Sequence, residues 1–251
     1  MDRTARPRIL VTRPEPGATA TETALAARGF EVIKRPLTEL APVPVDEAAG
    51  NAFLQSDIII VTSANALRFA PPDLLRAKQR TKLVAVGDAT ARQARDFGMS
   101  DVISIGGDAD ALIGEVLPTL QPGSNVGYLC GKLRRDTIES VLVEGGFNLT
   151  IIETYETQKV SQITNKLIAD FRQVKADAVA VFSGVSAGIL AEAVALPALL
   201  QIFERKPVFV ISKRASEPLV ERWPGDIHIS ESMQADAMHE LIENHFFGHT
   251  S

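Results

Sequence analysis

Cysteine and histidine are scarce in this sequence, and their scarcity narrows the chemistry that it can carry. The 251 residues include one cysteine, Cys130, so no disulfide can form within the chain. Of the four histidines, only His245 and His249 are close in sequence, and they lie in a polar tail. This spacing does not match that of zinc sites, so we expect no bound metal. We expect Cys130 to be a buried structural residue.

Long hydrophobic runs and an excess of positive charge are also missing. The longest aliphatic run, Ile58–Val61, is far shorter than the roughly 20 residues that span a bilayer. The opening residues, MDRTARPRIL, lack the apolar core of a signal peptide. The net charge of −5 disfavours a general nucleic-acid binder. We expect a cytoplasmic protein, acting as a monomer, with neither a membrane nor a nucleic acid as its partner.

Motifs for nucleotide binding and for serine hydrolases are absent. No G-x-G-x-x-G follows a strand and no G-x-x-x-x-G-K-[ST] is found, so the sequence carries neither nucleotide-binding fingerprint. Ser63 and Ser183 lack the G-x-S-x-G elbow of a nucleophilic serine. The remaining evidence for function lies in how the chain repeats itself and in the residues that follow its strands.

One pattern, which we name pattern B, occurs twice. It consists of a strand, a turn, a helix that ends at glycine, a second strand and an exit segment. It covers Arg8–Leu37 and Asn125–Thr157, and in both copies a phenylalanine follows the glycine, as Gly29-Phe30 and Gly146-Phe147. Glycine ends a helix because it adopts the left-handed conformation without steric cost. The second copy carries Tyr155 in its exit segment.

A second pattern, pattern A, also occurs twice and holds three strands, each followed by a helix. The first copy starts at DIIIVTSANA (Asp57–Ala66) and the second at DAVAVFSGVSA (Asp177–Ala187). We expect the third helix of the first copy to run from Gly106-Gly107-Asp108 to Leu120. Short apolar strands that alternate with helices predict parallel sheets covered on both faces.

The order B, A, B, A leaves two ways to pair the patterns. We favour pairing the contiguous middle copies, so that the first B joins the last A in a discontinuous domain. The alternative pairs the first with the second and the third with the fourth, and the repeats alone do not decide. The favoured pairing predicts an α/β fold of two similar parallel-sheet domains, flavodoxin- or Rossmann-like, joined by a two-stranded β-ladder hinge. The predicted limits are 1–36 plus 159–251 for one domain, 42–151 for the other, and 37–41 and 152–158 for the hinge strands.

Candidate binding residues follow the strands, because open parallel sheets bind ligands beyond the carboxyl ends of their strands. Helix N-termini at this edge offer N–H groups to carboxylates or phosphates. Basic side chains at the same edge favour a cleft for a large polyanion, whereas the alternative is that the hydroxyl residues only cap helices. The basic residues are Arg13, Lys132, Arg134, Arg135, Lys213 and Arg214. The expected binding residues are Arg13, Thr62, Ser63, Asn65, Gly87, Thr90, Gly131, Arg135, Ser183, Ser186 and Ser212.

Six motifs, taken in order and spacing, resemble those of the uroporphyrinogen-III synthase family across essentially the whole chain. They are V-T-R-P (Val11–Pro14), V-T-S-A-N-A-L (Val61–Leu67), A-V-G-D-A-T-A (Ala85–Ala91), G-x-x-x-R-x-x-I (Gly131, Arg135, Ile138), G-G-F (Gly145–Phe147) and Y-E-T (Tyr155–Thr157). Three positions depart from the family. Cys130 stands where arginine is frequent, Ala64 where proline is frequent, and Ser212–Ser216 where many members read G-x-T-T-A.

The resemblance implies the favoured pairing and a specific reaction. The substrate would be hydroxymethylbilane, a linear tetrapyrrole rich in carboxylates, which closes with loss of water and inversion of ring D to give uroporphyrinogen III. No cofactor would be needed, Tyr155 would donate a proton to the leaving hydroxyl, and hydroxymethylbilane synthase would be a transient partner. The alternative for Tyr155 is a tyrosine that only packs on the β-ladder. The alternative function is a cytosolic two-domain anion-binding protein or sensor without catalysis, since fold does not fix function.

Overall fold

The computed structural model describes residues 6–106, 114, 116–134, 137–160, 171, 173 and 175–248. Within them, short strands alternate with helices along the chain. The strands are β1 (Arg8–Val11), β2 (Glu31–Lys34), β3 (Thr38–Pro42), β4 (Ile58–Val61), β5 (Lys82–Val86), β6 (Val102–Ile105), β7 (Asn125–Gly131), β8 (Asn148–Lys159), β9 (Ala178–Val181), β10 (Val208–Val210) and β11 (Ile227–Ile229). The helices are α1 (Gly17–Ala27), α2 (Glu47–Phe53), α3 (Ala64–Phe69), α4 (Pro72–Ala77), α5 (Asp88–Asp96), α6 (Thr137–Glu144), α7 (Gly184–Val194), α8 (Pro197–Phe203), α9 (Lys213–Ser216) and α10 (Ala235–Phe247).

The strands form two sheets, and each sheet combines one copy of pattern B with one copy of pattern A. The first sheet has the order β2-β1-β9-β10-β11, and its neighbouring strands are parallel. The second has the order β3-β8-β7-β4-β5-β6, and the five strands from β8 to β6 are parallel. The predicted fold class is confirmed. The order of the first sheet is that of flavodoxin-like folds.

The chain divides into two compact units. The first unit holds Met1–Glu39 with Gln158–Ser251, and the second holds Leu40–Thr157. The chain leaves one unit for the other within β3 and within β8. In the second unit the Val43 N–H donates to the Thr154 carbonyl, and in the first the Val160 N–H donates to the Leu37 carbonyl. Residue numbers rise along one strand as they fall along the other, so β3 and β8 are antiparallel. The domain limits read from the sequence stay a prediction.

The second sheet buries a different apolar core against each face, and the two cores matter for the site. Along β4, Ile59 and Val61 point to one face, which we name the front, where they pack with α3 and α5. Ile58 and Ile60 point to the other face, the back, where they pack with α6. Side chains alternate between faces along a strand, so a residue's position in the strand decides which core it joins.

The first unit has one continuous core. The strands β1, β9 and β10 supply fully buried residues to it, and α7 and α10 cover them. In the described part of the chain, no single helix is long and apolar enough to cross a bilayer. Only α7 and α8 taken together, with a bend of 113° between them, meet that criterion.

Two predicted elements need comment. The helix expected from residue 108 to Leu120 lies largely outside the described residues, and a short 3₁₀ turn is seen at Leu117–Thr119. The exit segment that carries Tyr155 is part of β8, which spans 12 residues. Tyr155 is therefore held by a sheet ladder.

The sheet pairing predicts that residues 38–159 fold without the rest of the chain, because they contain every strand of the second sheet and both of its cores. We expect this fragment to unfold in urea in one cooperative transition followed by circular dichroism. The control is a fragment of residues 1–120, which separates β4 from β7. Cooperative folding of the control together with disorder of residues 38–159 would show that the pairing is wrong.

Candidate functional site

Several of the predicted binding residues lie where the strand order reverses in each sheet, whereas Gly87 and Thr90 follow β5 and Ser212 follows β10. In the first unit this point lies between β1 and β9, and Arg13 and Ser183 follow these two strands. In the second unit it lies between β7 and β4, which lead to Lys132 and to Thr62. Ligands of open α/β sheets bind at such switch points, beyond the carboxyl ends of the strands. In each unit, the edge of the sheet at the switch point thus carries residues of the polar or basic types that the sequence predicted there.

A β-bulge turns Tyr155 toward the front face. Along β8, Glu153 lies opposite Cys130 and Tyr155 lies opposite Gly131, so Thr154 is an extra residue with no partner in the register. In an unbroken strand, Tyr155 would share the back face with Ile151. The bulge reverses the alternation, and Tyr155 instead packs against the front core. Bulges next to functional sites re-aim side chains in this way.

Three contacts fix the bulge and the tyrosine ring. The buried Thr154 hydroxyl donates to the Ala66 carbonyl of α3 at 2.9 Å. The Tyr155 ring stacks on Phe69 of the same helix with 5.8 Å between centroids. Its hydroxyl donates to Ser63 Oγ at 3.3 Å. The ring is thereby held over the end of β4, with its phenol oxygen at the start of α3.

Gly131 is required by the position of the ring. A Cβ atom at this residue would lie 2.6 Å from Cζ and 2.9 Å from Oη of Tyr155. Such distances are well below van der Waals contact, so a side chain here would push the ring aside. Glycine in a strand often marks a close approach of another group, and here that group is the tyrosine on the neighbouring strand.

Tyr128 is a second tyrosine at this edge, and the sequence analysis missed it. It lies in the middle of β7, is buried in the back core and places its hydroxyl 3.2 Å from Thr62 Oγ1. Burial raises the pKa of Tyr128, so the phenol stays neutral. Its position in an apolar strand predicts only a core residue. The one signal in the sequence is the phenol oxygen of Tyr128, because a polar atom in an apolar strand needs a hydrogen-bond partner when it is buried.

The predicted serines cap helices. Ser63, Ser183 and Ser212 each accept a backbone N–H of the following helix, from Asn65, Ser186 and Ala215 respectively. Each hydroxyl oxygen is therefore used as a cap. A serine hydroxyl can still donate its own hydrogen, but that of Ser183 goes to Ser186 Oγ at 3.0 Å.

The remaining predicted residues differ in exposure. Thr90 is 5% exposed and Ser186 is 1% exposed, which does not favour direct contact of either hydroxyl with a ligand. Asn65 lies in the first turn of α3. Gly87 precedes α5 with a φ of 85°, a conformation that glycine adopts without strain. Arg135 lies outside the described residues.

Arg13 is the basic residue of the first unit with the most distinctive surroundings. Its guanidinium lies over the ring of Phe182, with Cζ 4.3 Å from the centroid, and donates to the buried hydroxyl of Thr21. Among the described residues no carboxylate lies within ion-pair distance of it. Burial lowers the pKa of Arg13, and the group remains a cation. A half-buried cation of this kind suits an anionic ligand.

Among the described basic residues after β7, neither Arg134 nor Lys132 offers a free charge in this way. Arg134 forms ion pairs with Glu139 and with Glu153, the second at 2.6 Å. Burial lowers the pKa of Arg134, but hydrogen bonds to Glu153 and Glu139 outweigh it and leave the pKa raised. Lys132 pairs with Glu156 at 3.1 Å on the surface. Carboxylates of this chain pair with both of these cations, which makes Arg13 the better candidate for an anion contact. The anion-binding edge stays a prediction.

Cysteine and metal chemistry find no support among the described residues. Burial raises the pKa of the Cys130 thiol to about 12, so it stays protonated. In the ranges described, histidine, cysteine, aspartate and glutamate form no group of three that could hold a metal ion. The Cys130 side chain is fully buried, as the sequence predicted.

Comparisons with known proteins identify the family. The family model described as HEM4, uroporphyrinogen-III synthase HemD, matches residues 19–240. The chain belongs to the uroporphyrinogen-III synthase family. Family membership makes it an enzyme of tetrapyrrole biosynthesis. No curated protein matches the chain.

Two solved structures in this family have the same fold at low sequence identity. One is uroporphyrinogen-III synthetase from Helicobacter pylori, with a TM-score of 0.59 and 19% identity over 95% of this chain and 98% of that one. The other is a mutant uroporphyrinogen III synthase from Thermus thermophilus, with a TM-score of 0.56 and 18% identity over 96% of this chain and 98% of that one. At this identity the likeness shows the fold alone.

The contact between Gly131 and Tyr155 yields a prediction. Gly131→Ala should displace the ring and slow the formation of uroporphyrinogen III about as much as removal of the Tyr155 side chain does. Gly131→Ala should have no further effect on turnover in a Tyr155→Ala background, because the clash is then absent. Gly188→Ala is the control, since a Cβ there meets no atom within 4 Å. Additive losses in the double variant would show that Gly131 acts independently of the tyrosine.

Proposed function

We propose that this chain is a lyase that converts hydroxymethylbilane into uroporphyrinogen III with loss of water, and that Tyr155 is its catalytic residue. The observation that carries the proposal is the placement of Tyr155 by a bulge, by Gly131 and by Phe69 at the switch point of the second sheet. Bulges next to active sites re-aim side chains, so this placement supports a chemical role for the phenol.

The reaction starts with departure of the hydroxyl of hydroxymethylbilane. The last ring then attacks through its substituted carbon, and a spiro intermediate forms, reopens and closes with ring D inverted. The Tyr155 phenol would donate the proton that the departing hydroxyl takes up as water. The phenolate would regain a proton when the ring carbon that forms the last bond loses its own at closure. A neutral phenol suits this role because it donates a hydrogen bond without repelling the carboxylates of the substrate.

The present partner of Tyr155 is compatible with this role. Its hydroxyl donates to Ser63 Oγ at 3.3 Å, which is long for an O–H···O bond. Ser63 Oγ already accepts the N–H of Asn65 at 3.2 Å. The tyrosine proton is therefore weakly held, and the hydroxyl of a bound substrate can replace Ser63 as its acceptor at little cost.

The protein's second task is to hold a flexible chain in one curled shape, since the substrate can close without help to the wrong isomer. Positioning of reacting groups can supply a large part of a rate enhancement. In the first unit, the guanidinium of Arg13 and the hydroxyl of Ser212 would bind carboxylates. In the second unit, the hydroxyls of Thr62 and Ser63 and the backbone at Gly87 and Gly131 would do so.

The finer points of the proposal rest on the sequence. We propose that the enzyme needs no metal or organic cofactor, because the leaving group departs readily and the protein supplies donors of its own. Action as a cytoplasmic monomer, with transient contact to hydroxymethylbilane synthase, belongs to the same proposal. Arg135, Asn65, Ser183, Ser186 and Thr90 stay predicted binding residues.

The direct experiment supplies freshly made hydroxymethylbilane to the purified protein and separates the product isomers after oxidation. We expect uroporphyrin III to dominate with the protein and uroporphyrin I without it. The same isomer ratio with and without protein, at protein concentrations that bind the substrate, would favour a binding protein over an enzyme.

Tyr155→Phe tests the proton donor, since it removes the hydroxyl and keeps the ring on Phe69. General acid catalysis is worth about 10²–10⁴-fold, and we expect a fall in kcat near the low end because the hydroxyl leaves readily. The product should remain uroporphyrinogen III. Full kcat in this variant would reduce Tyr155 to a packing residue, and a shift to the non-inverted isomer would assign it to steering.

Arg13→Ala tests the anion contact in the first unit. A hydrogen bond to a charged group is worth about 1.5–3 kcal/mol, so the affinity for uroporphyrinogen III should fall about 10- to 150-fold. The melting temperature should change little. Arg76→Ala is the matched control, because Arg76 is exposed and, in the described part of the chain, its ion pair is with the exposed Asp73. Equal affinity for the two variants would count against this placement.

A further inference from the structure

The chain contains only two tyrosines, and both place their phenol oxygens on neighbouring hydroxyl side chains. Tyr155 donates to Ser63 Oγ at 3.3 Å, and Tyr128 Oη lies 3.2 Å from Thr62 Oγ1. Thr62 and Ser63 are consecutive and follow β4 at the switch point. Tyr155 already has a proposed role, whereas nothing yet accounts for Tyr128.

The two phenols reach this point from opposite faces of the sheet. Tyr128 lies beside Ile60 in the parallel register of β7 and β4, and both belong to the back core. Thr62 is two residues beyond Ile60, so its side chain leaves the strand on the same side. The Tyr128 side chain therefore extends along β4 to the first polar atom that it meets there.

The environment of Tyr128 limits what its hydroxyl can do. The residue is 1% exposed, and among the described residues Thr62 Oγ1 is its hydrogen-bond partner. Burial keeps the phenol neutral by raising the pKa of Tyr128. A neutral buried phenol is best satisfied as a donor, since an unsatisfied O–H in an apolar core is costly.

We propose that Tyr128 is a positioning residue that donates to Thr62 Oγ1 and thereby holds the Thr62 hydroxyl as a hydrogen-bond donor toward a substrate carboxylate. A threonine hydroxyl has one hydrogen to give. Once its oxygen accepts from Tyr128, that hydrogen is directed away from the core. Linked hydrogen bonds also polarise one another, which strengthens the outer one.

The inference rests on the proposed function, because Thr62 must contact the substrate. The inference goes beyond the proposed function because it assigns a buried core residue to substrate recognition. Since Tyr128 would act on binding through Thr62, its loss should raise KM and leave kcat close to its original value. Loss of Tyr155 should instead lower kcat.

The test is a double-mutant cycle of Tyr128→Phe and Thr62→Val, with KM and kcat measured for hydroxymethylbilane. We expect Thr62→Val to raise KM about tenfold, because it removes a hydrogen bond to a charged group. Tyr128→Phe should raise KM about three- to tenfold, because it weakens that hydrogen bond without removing it. The double variant should match Thr62→Val alone, because Tyr128 acts through that hydroxyl. Thr62→Ser should retain most of the affinity.

Several outcomes would overturn the inference. A Tyr128→Phe variant with a lowered melting temperature and unchanged KM would make Tyr128 a core residue only, and so would additive effects in the double variant. Unchanged KM in Thr62→Val would overturn it even if Tyr128→Phe did not fold. Failure of the proposed function is distinct, since the wild-type protein itself would then form no excess of uroporphyrinogen III.

Discussion

The site in the second unit depends on one extra residue in one strand. Thr154 interrupts the register between β7 and β8 and is held by a buried hydrogen bond from its hydroxyl to the Ala66 carbonyl. Because side chains alternate along a strand, this single insertion moves the next residue from the back face to the front. Without it, Tyr155 would point toward the side of the sheet where Glu153 pairs with Arg134. The position of the phenol, the need for glycine at residue 131 and the contact with Ser63 all follow from the bulge.

The first unit reaches a comparable edge by different means. Its switch point carries a cation in place of a phenol, and Arg13 is held by the face of Phe182 and by the Thr21 hydroxyl. Gly17 permits this arrangement, since a Cβ there would overlap the guanidinium. In both units a glycine makes room for the side chain that we propose to be functional. The two copies of the fold therefore share their architecture and differ in the chemistry that they present.

The sequence was sufficient for the parts of the molecule that depend on local pattern. Short apolar runs such as Ile58–Val61 and glycine stops such as Gly146 placed the strands and helices. The B-A-B-A repeat left two sheet pairings open, and the family resemblance implied the one that the structure has. Arg13, Ser63 and Tyr155 were found because they follow strands or lie in family motifs. Contacts between residues that are far apart in the sequence could not be predicted from local pattern. The Tyr128 hydroxyl meets a residue 66 positions away, and Arg134 is neutralised by a glutamate 19 positions away. The bulge arises from pairing with a neighbouring strand, so the pattern of polar and apolar residues within β8 does not predict it.

The account's central claim is that Tyr155 lies at the substrate-binding edge, and the small number of tyrosines allows a direct test. Protein grown with 3-fluorotyrosine should give two ¹⁹F resonances, assigned by Tyr128→Phe and Tyr155→Phe. Anaerobic titration with uroporphyrinogen III should shift the Tyr155 resonance strongly, because the bound tetrapyrrole would lie beside the phenol ring and change its surroundings. A Tyr155 resonance that stays unchanged at saturating product would contradict the account.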